Sequence, residues 1–212
     1  GLDADRWYWY RFRSGTEASR IGRTRTLPLA GTSVRRLNMA FVSCQHYETG
    51  FFTAYRHMLN DDLDVVFHLG DYIYEYEGRD GRARKHTGDE IELLRDYRNR
   101  HALYRLDPDL QAAHARFPFV VTWDDHEVDN NYAADVSEEE GLPSELFLRR
   151  RAEAYQAYFE HMPLRGVSRP TGPRMRLYRG FEYGDLAAFF VLDTRQYRTD
   201  QPCDDRSGPT CA

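Results

Sequence analysis

Four apolar segments of the sequence each end at side chains that can bind a metal ion or carry charge. The segments are residues 37–43, 64–69, 117–123 and 186–192. The side chains that follow them are, in chain order, Cys44, Asp71, Asp125 and Asp193. Any one of them could merely cap the next helix. Four such ends in one chain favour a shared site built from several segments.

The second of these ends reads GDYIYE and places Asp71 behind a glycine that allows a sharp turn. A carboxylate has two oxygens and can therefore bridge two cations. Tyr74 lies three residues further on, and a phenolate is a strong ligand for a hard trivalent ion such as ferric iron. The alternative is that the tyrosines at 72, 74 and 76 form a packing stripe.

The third end reads WDDHEVDNN and crowds several carboxylates around His126. Carboxylates this close together repel one another unless a cation or a proton is present. Their oxygens suit calcium, magnesium or manganese. His126 could protonate a leaving group. A solvated acidic loop with helix caps is the alternative interpretation.

Cys44 and Arg56 are open to more than one interpretation. A lone cysteine after an apolar segment is commonly a small buried hydrophobe, but beside Asp71 and Tyr74 a thiolate ligand becomes attractive. A nucleophilic Cys44 would need a base such as His46, and no surrounding signature supports one. Arg56 lies in a predicted helix and could bind a phosphate oxygen bidentately, or it could be an ordinary surface arginine.

The elements that must position these groups alternate between strand and helix. Strands are predicted at the four apolar segments and at 176–181, and helices at 51–60, 90–103 and 144–161, the last with Ser144 as N-cap. This order predicts an α/β fold with buried strands, in which ligands bind beyond the carboxyl ends of the strands. Residues 1–30 predict two strands that end a separate β domain, with a linker at 28–32 and the second unit at 31–212.

Composition excludes several classes of protein. The chain has 212 residues, of which 41% are hydrophobic and 14% aromatic, too many for a disordered protein. Charged residues make up 30%, and the mean hydropathy is −0.75, so no membrane span is expected. The net charge of −5 argues against a general nucleic-acid-binding protein.

The remaining cysteines, Cys203 and Cys211, lie close together in a polar tail that carries proline and glycine. This spacing favours a local disulfide and an oxidising compartment over two unpaired thiols. No signal peptide is visible. Because Gly1 opens in what resembles mid-domain sequence, a targeting segment could have been removed.

Five separated blocks resemble PhoD-like alkaline phosphatases, which belong to the metallophosphoesterase superfamily. The blocks are FVSCQHYETGFFTAYRHM, DLDVVFHLGDYIYEYEG, FPFVVTWDDHEVDNNY, AYFEHMPLR and LDTRQYRTDQPC. The strings YRFRSG and GRTRTLP resemble the end of that family's N-terminal immunoglobulin-like domain. The resemblance implies a metallophosphoesterase-like αββα sandwich, partial in this chain.

The resemblance also implies an activity, its cofactors and its site. It implies an extracytoplasmic enzyme that hydrolyses phosphate esters and uses a ferric ion (Fe3+) and calcium (Ca2+). In such an enzyme a metal-activated hydroxide attacks the phosphorus atom. By motif, Cys44, Asp71 and Tyr74 would bind iron, and Asp71 would bridge to calcium. The motif that supplies a second-metal ligand falls on Asp125, with Asn130 as the other candidate. The same resemblance makes His126 the catalytic histidine, while Arg56 is a weaker candidate for a phosphate contact.

One departure from the superfamily concerns later ligands. Metallophosphoesterases complete their metal site with histidines and a carboxylate from later strands, and no histidine follows His161 here. We therefore expect a C-terminally truncated piece of a longer protein. Two other functions stay open: a phospholipase-type phosphodiesterase acting on lipid headgroups, and a non-catalytic fragment that lacks the later ligands.

Overall fold

The computed structural model describes residues 1–201, which begin with four short strands. β1 (Trp7–Tyr10) pairs antiparallel with β4 (Gly22–Arg25), and β2 (Arg13–Ser14) and β3 (Glu17–Ala18) form a small hairpin between them. The Arg23 guanidinium lies 4.2 Å from the ring centroid of Trp7. Arg25 pairs with both Asp5 and Asp64, so an ion pair joins this ribbon to the residue directly before the strand at Val65–His68.

Three parallel strands follow, in the spatial order β5 (Met39–Val42), β6 (Val65–His68), β7 (Phe119–Val121). Helices connect them: α1 (Thr53–Met58) between β5 and β6, then α2 (Leu94–Arg105) and α3 (Pro108–Arg116) between β6 and β7. The predicted strand–helix alternation is confirmed, and the three carboxyl ends meet at one edge.

Helix α3 is an element that the sequence prediction omits. Asp107 caps it by accepting hydrogen bonds from the backbone N–H groups of Asp109 and Leu110. Pro108 occupies the first helical turn, where a missing N–H costs nothing. A cap followed by proline is a helix-start signal, and it was present in the sequence.

The long helix α4 (Ser144–His161) has the predicted bounds but not the predicted cap. The N-cap position is Pro143, and no side chain caps the helix, so the assignment of Ser144 as N-cap is wrong. Packing of buried side chains stabilises this helix instead. Tyr155 is fully buried, and its ring centroid lies 4.3 Å from that of Trp123, the last residue of the apolar segment that contains β7.

A second sheet covers the other face of the parallel one. β8 (Arg179–Tyr183) and β9 (Ala187–Val191) form an antiparallel hairpin. Phe67 of β6 is excluded from the helix-side core and stacks on Phe189 at 5.0 Å and on Phe181 at 6.4 Å. The described residues thus form a helix layer, a parallel sheet and a hairpin layer, and the predicted α/β class is confirmed.

The predicted linker at 28–32 is attached to the turn of this hairpin. The backbone N–H of Asp185 donates to Thr32 O, and that of Val34 donates to the Asp185 carboxylate. A Cβ at Gly184 would lie 2.4 Å from Thr32 O, so only glycine permits the approach.

No helix within residues 1–201 is both long enough and apolar enough to span a bilayer. Cys203 and Cys211 lie outside the described residues, and the predicted disulfide is not tested there.

Candidate metal centre

The backbone brings the ends of β5, β6 and β7 together through a glycine. Gly70 has φ +117°, and a Cβ there would lie 2.4 Å from the backbone nitrogen of Asp124. The N–H of Cys44 donates to Gly70 O, and that of Gln45 donates to Asp71 O. Both Cys44 (φ 54°) and Asp71 (φ 56°) adopt the left-handed region, which costs a non-glycine residue about 1 kcal/mol or more. The surrounding structure therefore holds both residues in strained conformations.

Three aspartates converge at this edge. Oxygen atoms of Asp71, Asp124 and Asp125 all lie within 4.8 Å of one another. Asp71 is buried, and its Oδ1 has no hydrogen-bond partner among the described residues. Burial raises the pKa of Asp71, the charges of Asp125 and Asp124 raise it further, and His126 opposes them. A buried carboxylate oxygen without a partner fits a bound cation, which would satisfy that oxygen and relieve the repulsion.

Cys44 and Tyr74 meet at Asp71. The Tyr74 hydroxyl donates to Asp71 Oδ2 at 3.2 Å, and the Cys44 thiol lies near enough for the charge of Asp71 to affect its pKa. Partial burial and the negative charge of Asp71 raise the pKa of the Cys44 thiol, while Ser43 opposes them. Burial and the same charge raise the pKa of Tyr74. The structure brings these three predicted ligands together, and thiolate and phenolate would form here only with a cation present.

Asp125 and Asn130 lie in the same loop but differ in surroundings. Both oxygens of the buried Asp125 already accept a hydrogen bond, one from Arg195 at 3.0 Å and the other from the N–H of Asn131 at 2.7 Å. The Asn130 amide hydrogen-bonds to Glu138 at the exposed rim. Asp125 belongs to the aspartate cluster, whereas the recorded side-chain hydrogen bond of Asn130 goes to Glu138.

His126 is held by a buried carboxylate that the sequence analysis did not select. Its Nδ1 lies 2.8 Å from Oε2 of Glu75, and Glu75 Oε1 accepts from the N–H of Asn130 at 2.9 Å. The imidazole lies 4.1 Å from the ring of Tyr74. Burial alone would lower the pKa of His126, but the hydrogen bond and charge of Glu75, with Asp125 and Asp71, raise it to about 9. The ring is therefore fixed, and its protonated form is favoured.

A second carboxylate that was not predicted as a site residue, Glu127, binds backbone N–H groups next to the aspartate cluster. It accepts hydrogen bonds from the N–H groups of Asp71 at 3.1 Å, Tyr72 at 2.6 Å and Asp124 at 2.9 Å. Burial and the charge of Asp71 raise its pKa to about 8, against these three bonds. Glu127 thus ties the end of β6 to the end of β7.

The arginine that reaches the cluster is Arg195, beyond β9. It donates to Asp124 at 2.5 Å and to Asp125 at 3.0 Å. Asp193, at the fourth predicted strand end, accepts from Trp123 Nε1 at 3.0 Å and acts as a structural acceptor. The fourth strand end therefore supplies a guanidinium to the site.

Arg56 is placed differently from its prediction. Its guanidinium forms a bidentate ion pair with Asp109 at 3.0 and 2.9 Å, on the surface where α1 packs against α3. Within residues 1–201, none of the hydrogen bonds around the aspartate cluster involves Arg56. Its donors are occupied by a carboxylate, so the structure does not bring Arg56 to the other candidates.

Comparisons with known proteins identify the family of the chain. Residues 39–211 match the family model described as PhoD-like phosphatase, and residues 1–28 match the N-terminal domain of the same family. Alkaline phosphatase D of Bacillus subtilis (strain 168) is 57% identical over 214 residues, which cover 99% of this chain and 36% of that protein. A solved structure described as "Structure of PhoD" superposes with a TM-score of 0.92 at 57% identity, covering 97% of this chain and 40% of that one. The chain spans a little over a third of the curated relative's length.

Proposed function

The chain belongs to the PhoD-like phosphatase family, and from that premise we propose that it forms part of a metal-dependent phosphatase that hydrolyses phosphate esters. The observation that carries the proposal is the convergence of Cys44, Asp71 and Tyr74 beside Asp124 and Asp125. The buried Asp71 Oδ1 has no hydrogen-bond partner among the described residues, and a bound cation would satisfy it.

The donor set favours two different ions. Cys44, Tyr74 and one oxygen of Asp71 offer sulfur and phenolic oxygen, which suit ferric iron. The other Asp71 oxygen and the carboxylates of Asp124 and Asp125 suit calcium, which takes oxygen ligands. When bound, such ions neutralise charge on the phosphoryl oxygens and make water a stronger nucleophile near neutral pH. Asn130 would offer calcium its amide oxygen, since its bond to Glu138 uses the amide nitrogen.

His126 is the proposed proton donor. Glu75 fixes its Nδ1, so its Nε2 is the nitrogen available to substrate. A raised pKa keeps the imidazolium protonated through neutral pH, as donation to a leaving oxygen requires. Glu75 acts through His126 and is a positioning residue.

Arg195 is proposed to fix the positions of the Asp124 and Asp125 carboxylates. Its contacts with Asp124 and Asp125 offset part of their repulsion without occupying Asp71. In this arrangement the guanidinium orients Asp124 and Asp125, and Asp71, which Arg195 does not contact, would be available as a metal ligand.

The proposal is tested on the complete gene product that carries this sequence. Hydrolysis of p-nitrophenyl phosphate should be lost on chelation and restored by iron and calcium together. Asp71→Asn should reduce both bound metal and kcat, and Asp61→Asn, at an exposed aspartate outside the cluster, is the matched control. Activity that survives complete metal removal would overturn the proposal. Rates on a phosphate diester and on a phospholipid headgroup would then distinguish a phosphatase from a phosphodiesterase.

An extracytoplasmic location is part of the same proposal and rests on the family resemblance. The predicted pairing of Cys203 with Cys211 would accord with it. Thiol titration of the denatured protein before and after reduction should gain two thiols if the disulfide is present. An unchanged count would remove that support.

A further inference from the structure

His46 contacts two of the proposed iron ligands, which come from different strand ends. It follows Cys44 by two residues, and its backbone N–H donates to Cys44 O at 3.0 Å. Its imidazole packs against the ring of Tyr74, with 4.3 Å between the two ring centroids. His46 therefore connects the segment after β5, which carries Cys44, to the segment after β6, which carries Tyr74.

A hydrogen bond fixes the side chain of His46. Its Nδ1 accepts from the backbone N–H of Glu48 at 3.2 Å, so the imidazole caps the short 3-10 helix at Tyr47–Thr49. The backbone of His46 is extended (φ −63°, ψ 116°), which is the usual conformation of a residue in the N-cap position. The ring is therefore tied to the same turn that holds Cys44.

A buried ring also packs against His46. The ring centroid of His86 lies 5.4 Å from that of His46, and His86 is 2% exposed. His86 is itself fixed, because its Nδ1 lies 3.1 Å from Tyr76 O and its Nε2 lies 3.0 Å from the Tyr104 hydroxyl. The imidazole of His46 is thus held both by a hydrogen bond and by a neighbour that cannot easily move.

Tyr74 depends on such contacts because its own segment is irregular. It lies outside the helices and strands, and its hydroxyl hydrogen-bonds to Asp71 at 3.2 Å. The rings of His46 and His126 pack against it at 4.3 and 4.1 Å. A ligand atom binds a metal ion well only when its side chain is held close to the required geometry. The rings that contact Tyr74 therefore bear on how well its phenolate can bind.

We infer that His46 is a positioning residue of the candidate metal centre, and that its ring holds the Tyr74 phenol beside Cys44 and Asp71. The inference rests on the proposed function and assigns to that site a residue that acts through Tyr74. Side chains that orient the ligands of a metal ion typically change its affinity by roughly 10- to 100-fold when they are replaced.

Two substitutions separate the ring contact from the cap. His46→Asn removes the ring, but an asparagine in the N-cap position can still accept from the N–H of Glu48. His46→Phe keeps an aromatic ring beside Tyr74 and removes the acceptor. His57→Asn, at an exposed histidine of α1, is the matched control.

The readouts are the iron affinity and the visible absorption of the complete gene product, and neither requires turnover. Competition with a chelator measures the dissociation constant for ferric iron. We expect this constant to rise by roughly tenfold in His46→Asn, with a weaker phenolate-to-iron charge-transfer band. His46→Phe and His57→Asn should keep the affinity and the band of the wild type. The urea midpoint of His46→Phe should fall, because the N–H of Glu48 loses its acceptor.

The outcomes separate the role of His46 from the function on which it rests. If the wild-type protein shows the phenolate band and His46→Asn keeps both the band and the affinity, His46 does not position Tyr74 and the proposed function stands. A His46→Phe variant that binds iron as weakly as His46→Asn would also overturn the inference. If the wild-type protein shows no such band, the metal centre itself is wrong and the inference falls with it. His46→Gln, which also keeps an acceptor without a ring, takes the place of His46→Asn if circular dichroism finds that variant unfolded.

Discussion

The Nδ1 atom of His126 lies 2.8 Å from Oε2 of Glu75, a carboxylate that is 1% exposed. This contact joins the loop after β7 to the segment after β6, and it holds the imidazole against Tyr74. Because the carboxylate is buried, its negative charge is poorly screened and acts mainly on the ring it touches. A single ion pair therefore sets both the orientation and the charge of the proposed proton donor.

Glu75→Gln should separate these two effects. The amide oxygen can still accept the Nδ1 hydrogen bond, but the charge is lost, so we expect the pKa of His126 to fall from about 9 towards the ordinary value of 6.5. NMR titration of the histidine rings in metal-free protein measures it. In the metal-loaded protein, kcat at alkaline pH should fall by at least about tenfold. Glu77→Gln, at an exposed neighbour, is the control, and an unshifted His126 would contradict this role of Glu75.

Gly70 should be intolerant of any side chain. Gly70→Ala places a Cβ 2.4 Å from the Asp124 nitrogen and requires φ +117°. We expect a loss of about 3 kcal/mol or more in the free energy of unfolding, or failure to fold. Gly81→Ala shares the positive φ (+75°) but meets nothing within 4 Å, so it should cost only about 1 kcal/mol. Urea denaturation of both variants separates the effect of the steric clash from the effect of backbone strain. Equal losses of unfolding free energy in the two variants would contradict a clash between a side chain at residue 70 and the backbone of Asp124.

The main role of Glu127 should be to stabilise the folded protein. Glu127→Ala leaves three buried N–H groups, those of Asp71, Tyr72 and Asp124, without an acceptor. We expect a loss of about 3 kcal/mol or more. Glu145→Ala, in the first turn of α4 and exposed, is the control. If chemical denaturation finds the two variants equally stable, Glu127 does not join the strand ends.

Buried neutral histidines should make the protein sensitive to acid. Burial lowers the pKa of His101 and His114 well below 6.5. Below pH 6.5 these two histidines become protonated in the unfolded chain but stay neutral in the folded protein. The free energy of unfolding therefore falls as the pH falls. At pH 5 the loss is about 2 kcal/mol for each residue.

The slope of stability against pH tests this directly. Unfolding free energies between pH 7 and pH 5 should depend less steeply on pH in His101→Gln and His114→Gln. The exposed His57→Gln should keep the wild-type slope. An unchanged slope in the two buried variants would show that another group titrates.

The sequence was sufficient to predict most of the elements and the edge at which the site lies. Apolar runs that stop at Cys44, Asp71 and Asp125 could be read directly, because parallel strands bring their carboxyl ends to one place. The bounds of α4 followed from its helical pattern. Helix α3 was overlooked although Asp107 and Pro108 mark its start, because the predicted helix of that crossover ended at residue 103 and the segment after it was left unassigned.

The contacts between distant side chains were not predictable from patterns. Glu75 and Glu127 stand among other carboxylates, and only the fold shows that they are buried and what they bind. Arg56 and Arg195 are equally plausible partners of an anion in the sequence. The packing of α1 on α3 commits Arg56 to Asp109, while the turn after β9 carries Arg195 to Asp124, 71 residues away.

Iron K-edge X-ray absorption of the complete gene product, loaded with iron and calcium, tests the central claim most directly. The account predicts an iron atom with one sulfur neighbour, which is lost in Cys44→Ser, and, in the visible absorption spectrum of the same sample, a phenolate-to-iron charge-transfer band, which is lost in Tyr74→Phe. Iron bound with only nitrogen and oxygen neighbours, and spectra unchanged by both substitutions, would contradict a centre formed by Cys44, Asp71 and Tyr74.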